Sequence, residues 1–556
     1  MRKFLLAVAA AFVAAPTVAQ QPAQVPKLIV VISIDQFSAD LFDQYRPYFR
    51  GGIGKLSNEG VTFANGFHVQ AATETCPGHA TILTGAFPSR TGIIANRWYD
   101  LDVARSDKRI YCAEDERVSG TNSSRDNYRV SPFHLKAPTL SDLMAAQKTG
   151  GRSVAVAGKD RSAVMMTGHS AEQRWFWNYY ANQFQTDNKT GVMPASVAAA
   201  NQLAAKAIAD GLPALTPPPE CLARAKSIKL EPGNVTVGTS MQERAPGDDG
   251  RFRSSPDFDG LTLALAAQLI VESGLGRGAA TDLLAVGISG VDYAGHRFGT
   301  DGPEVCLQLL SVDRDIGSFL EFLSSSGIDA MVVLTADHGG KDVPERARLS
   351  RDPKARRSDP AVYPASLGER LKSQLGLKID GSLLYADVEG ANGAFNDVYV
   401  SKSLNEPDRK RVIDAAQSYY RQHPDIALVV RKEELERYSG LPFPSDPRAF
   451  SLLDRARASF DKERSGDLIV IFADHVTQIS EPEPTYVAAH GSAWDLDRRV
   501  PIIFWRKGIT PANVSDAVRV ADIMPTLAAS IGMAVDPGSI DGHCLAAVAA
   551  DRCTIR

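Results

Sequence analysis

The sequence predicts an α/β protein with a mostly parallel central sheet flanked by helices. Two observations lead to this prediction: short runs of β-branched and other apolar residues recur along the chain, and helical patterns separate them. Such continuous runs are typical of strands buried on both faces of a parallel sheet. The strand-like runs are 28–34, 153–157, 283–288, 331–334 and 500–504. Helical spacing of apolar residues is clearest in 140–146, 261–270 and 312–323.

The chain is interpreted as one large domain and not as a series of modules. We expect residues 20–556 to form a single unit, because no repeat or long low-complexity segment interrupts the alternation of strands and helices. Two stretches predict inserted cap segments: the Pro-rich and polar region at about 185–255, and the charged region at about 342–465.

The first 19 residues have the pattern of a secretory signal peptide. Arg2 and Lys3 precede a short apolar run, and small residues follow up to Ala19. We therefore expect cleavage after Ala19, a periplasmic or secreted protein, and no stable membrane anchor once the signal is removed. An uncleaved N-terminal anchor is the alternative interpretation.

The charge argues against a nucleic-acid partner. The formal net charge is -4 and no basic block occurs along the chain, so the electrostatic attraction that such proteins need is missing. A hydrophobic share of 44% with 23% charged residues is ordinary for a folded soluble protein.

The cysteine count also fits an oxidising compartment. The chain has six cysteines, an even number that suits disulfide formation. Six cysteines allow fifteen pairings, so the connectivity is a hypothesis. The expected pairs are Cys76–Cys112, Cys221–Cys306 and Cys544–Cys553. Proximity along the chain favours the last pair.

Acidic and histidine side chains follow several of the predicted strands. The carboxyl ends of parallel strands meet at one edge of a sheet, where ligands bind. Aspartate and imidazole groups in this arrangement suit a pair of divalent ions, and zinc fits them best. The candidate ligands are Asp35, Asp292, His296, Asp337, His338 and His490.

A second Asp-His pair shows that no member of this set is decisive alone. Asp474 and His475 also follow a strand-like run, 468–472. We favour Asp337 and His338 because Gly339 and Gly340 provide a sharp turn after them. The other pair stays open as an alternative.

Thr75 is the candidate nucleophile. Pro77 favours a helix start at this point, which would place the Thr75 hydroxyl beside free N–H groups and the positive end of the helix dipole. A metal ion could activate that hydroxyl for attack on phosphorus. The alternative is that Thr75 only caps the helix.

In their order along the chain, these motifs resemble the alkaline phosphatase superfamily. They are most similar to bacterial periplasmic alkaline phosphatases with a threonine nucleophile and a Lys-x-Arg pair. The residues that carry the resemblance are Asp35, the segment 75–81, Asn96, the segment 158–162, Asp292, His296, the segment 337–339, the segment 490–491, the segment 521–527 and the segment 541–542.

The resemblance implies a role for each site residue and two zinc ions per chain. One ion would be held by Asp35, Asp337 and His338 and would bind Thr75. The other would be held by Asp292, His296 and His490. The resemblance further implies a phospho-threonine intermediate.

Three further residues would bind the non-bridging phosphoryl oxygens: Asn96, Lys159 and Arg161. Arginine can bind two oxygens in a fork, and lysine acts as a point charge. An exposed basic loop is the alternative reading of Lys159 and Arg161. His79 is expected to hold the nucleophile segment and not to bind metal.

The expected activity is hydrolysis of small-molecule phosphomonoesters by a monomeric enzyme. A phosphodiesterase or nucleotide pyrophosphatase of the same superfamily is the nearest alternative, because it would share the metals and the threonine. A sulfatase, a phosphonoacetate hydrolase and a non-catalytic zinc-binding protein fit less well. The sequence leaves room for an additional structural ion such as calcium. For the aromatic residues of 175–180 two interpretations stay open: they pack in the core, or they line a substrate-binding wall.

Overall fold

A ten-stranded sheet lies at the centre of the computed structural model, which describes residues 25–119, 128–187, 191–388 and 394–554. The predicted signal peptide, residues 1–19, lies outside the described residues. The strands follow one another across the sheet in the order Ala512–Val514, Val61–Phe67, Arg499–Arg506, Ala330–Thr335, Leu28–Ile34, Asp282–Ile288, Ser153–Ala157, Gln173–Asn178 and Gln183–Gln185, and Val518–Arg519 pairs with Val61–Phe67.

The middle of this sheet is parallel, as the sequence predicts. Leu28–Ile34 pairs in parallel with Asp282–Ile288 on one side and with Ala330–Thr335 on the other. Every residue of these three strands is buried, which explains their unbroken apolar character. The predicted mostly parallel α/β fold is confirmed.

The apolar run 500–504 suggests a further parallel strand, but the strand that contains it runs antiparallel to its neighbours. Arg499–Arg506 pairs antiparallel with both Ala330–Thr335 and Val61–Phe67. Its residues from Val500 to Phe504 are buried like those of the parallel strands. A buried strand is apolar whichever way it runs, so its composition does not reveal its direction.

Helices pack in two groups against the sheet. Pro256–Ser273, Pro303–Ser325 and Gly52–Glu59 form one group, and Thr75–Thr84, Asp160–Thr167 and Ile523–Ser530 form the other. The remaining longer helices are Ala39–Tyr45, Leu140–Ala146, Ala195–Asp210, Gly290–Phe298, Pro364–Leu375, Glu406–Gln422 and Leu452–Ser459. Shorter ones are Pro88–Thr91, Glu116–Ser119, Pro219–Leu222, Asp249–Arg253, Pro344–Ala347, Lys432–Arg437, Asp495–Arg498 and Ala546–Ala549.

The charged region near 342–465 and the strand directly after it form a second, smaller sheet. Its strands are, in order, Leu384–Tyr385, Asp397–Val400, Leu468–Phe472 and Ile426–Arg431. Helices Pro364–Leu375 and Glu406–Gln422 pack beside it, and the enclosed apolar residues form a cluster separate from the main core. The boundaries of the two inserted segments stay predictions.

The rest of the chain adds short hairpins and pairs. Arg97–Tyr99 pairs with Arg109–Tyr111, Ile228–Lys229 with Thr236–Val237, and Arg356–Arg357 with Val476–Thr477. In the region near 185–255, helix Ala195–Asp210 packs on Pro256–Ser273.

The three disulfides of the structure join the expected partners. They are Cys76–Cys112, Cys221–Cys306 and Cys544–Cys553. Among the described residues, no helix is both long and apolar enough to span a bilayer.

Candidate active site

The register of the central strands brings three predicted site residues to one edge of the sheet. Ser33 is level with Thr335, so Asp35 and Asp337 leave their neighbouring strands at the same height. Ala157 is level with Gly287, so Lys159 emerges beside the start of helix Gly290–Phe298. The two aspartates and the lysine are buried.

Helix Gly290–Phe298 presents the next two candidate ligands on one face. Asp292 and His296 are one turn apart, and the His296 Nε2 lies 3.2 Å from the Asp292 Oδ1. The His490 Nε2 lies 3.6 Å from the same oxygen. Gly295 allows this arrangement, because a Cβ there would lie 1.6 Å from the Gln36 amide oxygen.

The three candidate histidine ligands share one protonation pattern. Each donates its Nδ1–H to a backbone carbonyl: His296 to Ala488 at 2.8 Å, His338 to Gly339 at 2.8 Å and His490 to Thr73 at 2.9 Å. A proton on Nδ1 leaves Nε2 with a lone pair, which is the tautomer that binds metal through Nε2. In each case that lone pair faces a carboxylate.

These contacts fit a pair of cations. The His338 Nε2 lies 3.3 Å from oxygens of both Asp35 and Asp337, and two acceptors that face each other repel unless a cation lies between them. Within the described part of the chain, the His338 Nε2, the Asp35 Oδ1 and the Asp337 Oδ2 are buried without a hydrogen-bond partner. Such orphaned groups need an explanation, and a metal ion provides one.

Two overlapping groups of side chains have ligand atoms close enough to hold an ion each. One is Asp292, His296 and His490, and the other is Asp35, Asp292 and His338. The His338 and His490 rings connect the groups, since their centroids are 3.7 Å apart. The structure therefore brings all six candidate ligands together, with Asp292 between the groups.

The electrostatics of this cluster also favour cations. Burial and the nearby carboxylates of Asp292 and Asp337 raise the pKa of Asp35 well above its ordinary value. Burial lowers the pKa of His338 to about 3, so that its imidazole is neutral at ordinary pH. A neutral imidazole is the form that a metal ion requires.

Lys159 lies between the two groups. Its Nζ donates to the Asp35 Oδ2 and to the Asp292 Oδ2, both at 2.5 Å. Burial alone would lower the pKa of Lys159, but the two carboxylates raise it above its ordinary value. The lysine therefore stays charged and joins the Asp35 and Asp292 carboxylates.

Thr75 is the first residue of helix Thr75–Thr84 and is fully buried. Close packing puts this helix terminus against the Asp/His cluster. A Cβ at Gly78 would lie 2.0 Å from the Asp337 carbonyl oxygen, so only glycine fits there. His79 donates from Nδ1 to the Thr75 carbonyl at 2.9 Å and also lies 3.2 Å from the Asp337 Oδ2.

The remaining phosphate-binding candidates surround the start of this helix. The Arg161 Nη2 lies 3.4 Å from the Thr75 Oγ1. The Asn96 Oδ1 accepts from the Cys76 N–H at 2.8 Å, and the Asn96 N–H donates to Glu74 at 2.6 Å. These bonds fix the orientation of the Asn96 amide beside the threonine.

The alternative Asp-His pair lies elsewhere. His475 is bonded to the Asp352 Oδ2 at 2.7 Å and its side chain is 42% exposed. The strand before it, Leu468–Phe472, belongs to the smaller sheet. Asp474 and His475 therefore follow a different sheet from the one that carries the cluster.

Supporting residues that the sequence analysis did not single out complete the site. Gln36 donates from Nε2 to the Asp292 Oδ1 at 2.9 Å, and its position directly after Asp35 could have indicated it. Asp160 accepts from the hydroxyls of Tyr111 at 2.6 Å and Tyr128 at 2.5 Å, which holds in place the start of helix Asp160–Thr167 that carries Arg161. No local sequence pattern marks these two tyrosines, because they come from a distant segment.

Comparison with known proteins places this arrangement in a family. The family described as type I phosphodiesterase / nucleotide pyrophosphatase matches residues 29–493. The chain belongs to this family. The type I phosphodiesterase / nucleotide pyrophosphatase family falls within the alkaline phosphatase superfamily, so the predicted superfamily is confirmed.

Two bacterial relatives of this family member are similar over nearly its whole length. It is 46% identical over 527 residues to alkaline phosphatase PhoK of a Sphingomonas species, covering 94% of this chain and 91% of the relative. It is 43% identical over 529 residues to alkaline phosphatase PhoD of Zymomonas mobilis, covering 95% and 89%. These matches confirm the predicted enzyme class.

A solved structure shares the fold. The crystal structure of wild-type alkaline phosphatase PafA superposes on this family member with a TM-score of 0.79 at 24% identity, covering 95% of this chain and 100% of that one. At this identity the likeness establishes the common architecture.

Proposed function

We propose that this protein is a two-zinc phosphomonoesterase in which Thr75 carries the phosphoryl group between two displacement steps. The observation that supports it most is the 3.4 Å contact between the Arg161 Nη2 and the Thr75 Oγ1 beside a buried Asp/His cluster. A hydroxyl next to a guanidinium is placed for attack on a phosphoryl group that the arginine binds. The alkaline phosphatase names of the similar proteins agree with this proposal.

The six clustered side chains would hold the two ions. Asp35, Asp337 and His338 would hold one beside Thr75, and Asp292, His296 and His490 would hold the other. When bound, zinc supplies the positive charge that lowers the pKa of the attacking hydroxyl and stabilises the departing oxygen.

The residues of the chain bind and orient the substrate. Arg161 and Lys159 bind non-bridging oxygens of the monoester dianion, and the Asn96 amide adds a hydrogen bond. The Thr75 Oγ1 then forms a bond to phosphorus as the bond to the ester oxygen breaks, which releases the alcohol. Water next attacks the phospho-threonine, and the products are inorganic phosphate and a free Thr75 hydroxyl.

Substitution of the nucleophile tests the proposal. Thr75→Ala should lower kcat/KM for p-nitrophenyl phosphate at least about a thousandfold, while Thr75→Ser should keep much more activity. Mass spectrometry after an acid quench should find a phosphorylated peptide containing Thr75 in the wild-type protein. Full activity in a zinc-loaded Thr75→Ala protein would disprove the assignment.

Phosphodiester hydrolysis is the second candidate, because the matching family is described as phosphodiesterase. A diester carries less negative charge on its non-bridging oxygens and has less use for Lys159 and Arg161. We therefore expect the zinc-loaded enzyme to hydrolyse p-nitrophenyl phosphate faster than bis-p-nitrophenyl phosphate. A faster reaction of the bis-ester would reverse the order of the two candidates.

Residues 1–19 and the cysteines support an exported enzyme, and the lack of a basic block in the sequence argues against a nucleic-acid partner. We propose that the enzyme acts as a monomer on small molecules. Three disulfides suit an oxidising compartment. N-terminal sequencing of secreted protein should find Gln20 as the first residue. A mature chain that begins at Met1 would contradict cleavage.

A further inference from the structure

The disulfide Cys76–Cys112 joins the start of the nucleophile helix to a short hairpin. Cys76 directly follows Thr75 in helix Thr75–Thr84, and Cys112 directly follows the hairpin strand Arg109–Tyr111. Both cysteines are fully buried. The covalent link therefore lies one residue from the candidate nucleophile.

Asn96 is hydrogen-bonded to the backbone N–H groups of both cysteines. Its side-chain Oδ1 accepts from the Cys76 N–H at 2.8 Å, and its backbone carbonyl accepts from the Cys112 N–H at 3.0 Å. The amide nitrogen is thus the end of the side chain that can donate to a phosphoryl oxygen. The two residues that form the disulfide hold both the side chain and the backbone of Asn96.

The pairing of the hairpin is too short to fix Asn96 by itself. Asn96 directly precedes strand Arg97–Tyr99, which pairs antiparallel with Arg109–Tyr111, and each strand has three residues. A two-stranded hairpin is only marginally stable in water on its own. A covalent link at the base of the hairpin therefore limits how far Asn96 can move from Thr75.

The position of Arg161 depends less on this link. Its helix, Asp160–Thr167, packs directly against helix Thr75–Thr84. Asp160, at the start of that helix, is bonded to Tyr128 as well as to Tyr111 of the hairpin. Loss of the disulfide should therefore act mainly on Asn96.

We propose that the Cys76–Cys112 disulfide is a positioning link for phosphoryl transfer, which holds the Asn96 amide where it can bind a non-bridging oxygen of a phosphoryl group at Thr75. The inference rests on the proposed function. A disulfide that only stabilises the fold changes how much of the protein is folded, whereas a positioning link changes the affinity and rate of each folded molecule.

Inhibition by inorganic phosphate separates these two roles. Cys76→Ala/Cys112→Ala should raise the inhibition constant of phosphate and lower kcat/KM for p-nitrophenyl phosphate, each roughly tenfold, because a hydrogen bond to a charged group is weakened. The inhibition constant does not depend on the folded fraction. A variant that lost apparent kcat but kept the wild-type inhibition constant would overturn the inference.

Cys221→Ala/Cys306→Ala is the matched control. This cysteine pair is also fully buried, and it joins helix Pro219–Leu222 to helix Pro303–Ser325, which belongs to the other helix group. Its cysteines are 85 residues apart in the chain, against 36 for Cys76 and Cys112, so in the chain-entropy model its removal destabilises the fold at least as much. We expect the control to keep the wild-type inhibition constant. An equal rise in both variants would assign the effect to general loosening of the fold and refute the positioning role.

A double-mutant cycle tests whether the link acts through Asn96. In an Asn96→Ala background, removal of the Cys76–Cys112 disulfide should lower kcat/KM by less than about twofold, because the positioned amide is already missing. A further tenfold loss in that background would show that the link does not act through Asn96.

Failure of this inference can be distinguished from failure of the proposed function. If the zinc-loaded wild-type protein hydrolyses p-nitrophenyl phosphate and Cys76→Ala/Cys112→Ala has the same constants, the positioning role alone is wrong. If the zinc-loaded wild-type protein does not hydrolyse p-nitrophenyl phosphate, the proposed function fails and the inference fails with it.

Discussion

At the scale of single residues, the proposed function makes Lys159 and Arg161 the groups that favour monoesters over diesters. Both lie beside Thr75 or its neighbouring ligands, and a monoester offers them one more anionic oxygen than a diester does. Lys159→Ala or Arg161→Ala should therefore lower kcat/KM for p-nitrophenyl phosphate about a hundredfold or more. The same variants should lower kcat/KM for bis-p-nitrophenyl phosphate much less. Steady-state kinetics of both substrates checks this, and equal losses would refute the preference.

The two Asp-His pairs differ in a way that metal analysis can measure. His338 is fully buried and its Nε2 faces two carboxylates, whereas His475 is bonded to Asp352 at the surface of the smaller sheet. His338→Ala should reduce the zinc content of the purified protein by about one ion per chain, because it removes a ligand. His475→Ala is the control and should keep the full content. If His475→Ala lost zinc and His338→Ala kept it, Asp474 and His475 would be the ligand pair.

At the scale of elements, a buried carboxyl supports the helix that carries Asp292 and His296. Asp259 accepts from the Gly290 N–H and from the Gln308 amide, both at 2.7 Å. Burial raises the pKa of Asp259 to about 7, above its value in the unfolded chain. The protonated carboxyl therefore favours folding fully below about pH 4, and this contribution is lost as the pH rises to about 7.

The pH dependence of unfolding should reveal this carboxyl. Between pH 4 and pH 7 the free energy of unfolding of the wild-type protein should fall relative to that of Asp259→Asn by about 4 kcal/mol. Urea unfolding of both proteins, kept free of metal by a chelator, measures the difference. Parallel curves over this range would show that the pKa of Asp259 is not raised in the folded state.

The strands and helices also show which parts of the fold and the site can be predicted from the sequence. Asp35 and Asp337 could be predicted because each lies within two residues of the end of a buried strand, and strand ends in a parallel sheet share one edge. His490 lies in a segment without regular structure, so no strand end marks it, and the resemblance to a family supports it more than its local sequence does. The contacts of Lys159 depend on the register between strands that are far apart in the chain, and the membership of Leu468–Phe472 in a second sheet depends on long-range packing. Local periodicity contains neither kind of information.

At the scale of the whole molecule, the metal ions should contribute to stability. Asp35, Asp292 and Asp337 are buried together, and Lys159 is the cation that bonds to the first two. Chelation should lower the thermal midpoint, and zinc at a thousand times its dissociation constant should restore about 4 kcal/mol. Lys159→Met should lower the midpoint of the metal-free protein further, because it leaves those carboxylates uncompensated. Scanning calorimetry with and without zinc tests both statements, and equal midpoints would contradict them.

The antiparallel strand Arg499–Arg506 has a consequence for biosynthesis. It fills the space between Val61–Phe67 and Ala330–Thr335, so the first of these has no neighbour towards the sheet centre until the last part of the polypeptide exists. His490 arrives with the same late segment. A chain emerging from the ribosome therefore cannot complete its sheet or its ligand set during translation. For an enzyme exported as proposed above, this delay would favour transport of the polypeptide before folding is complete.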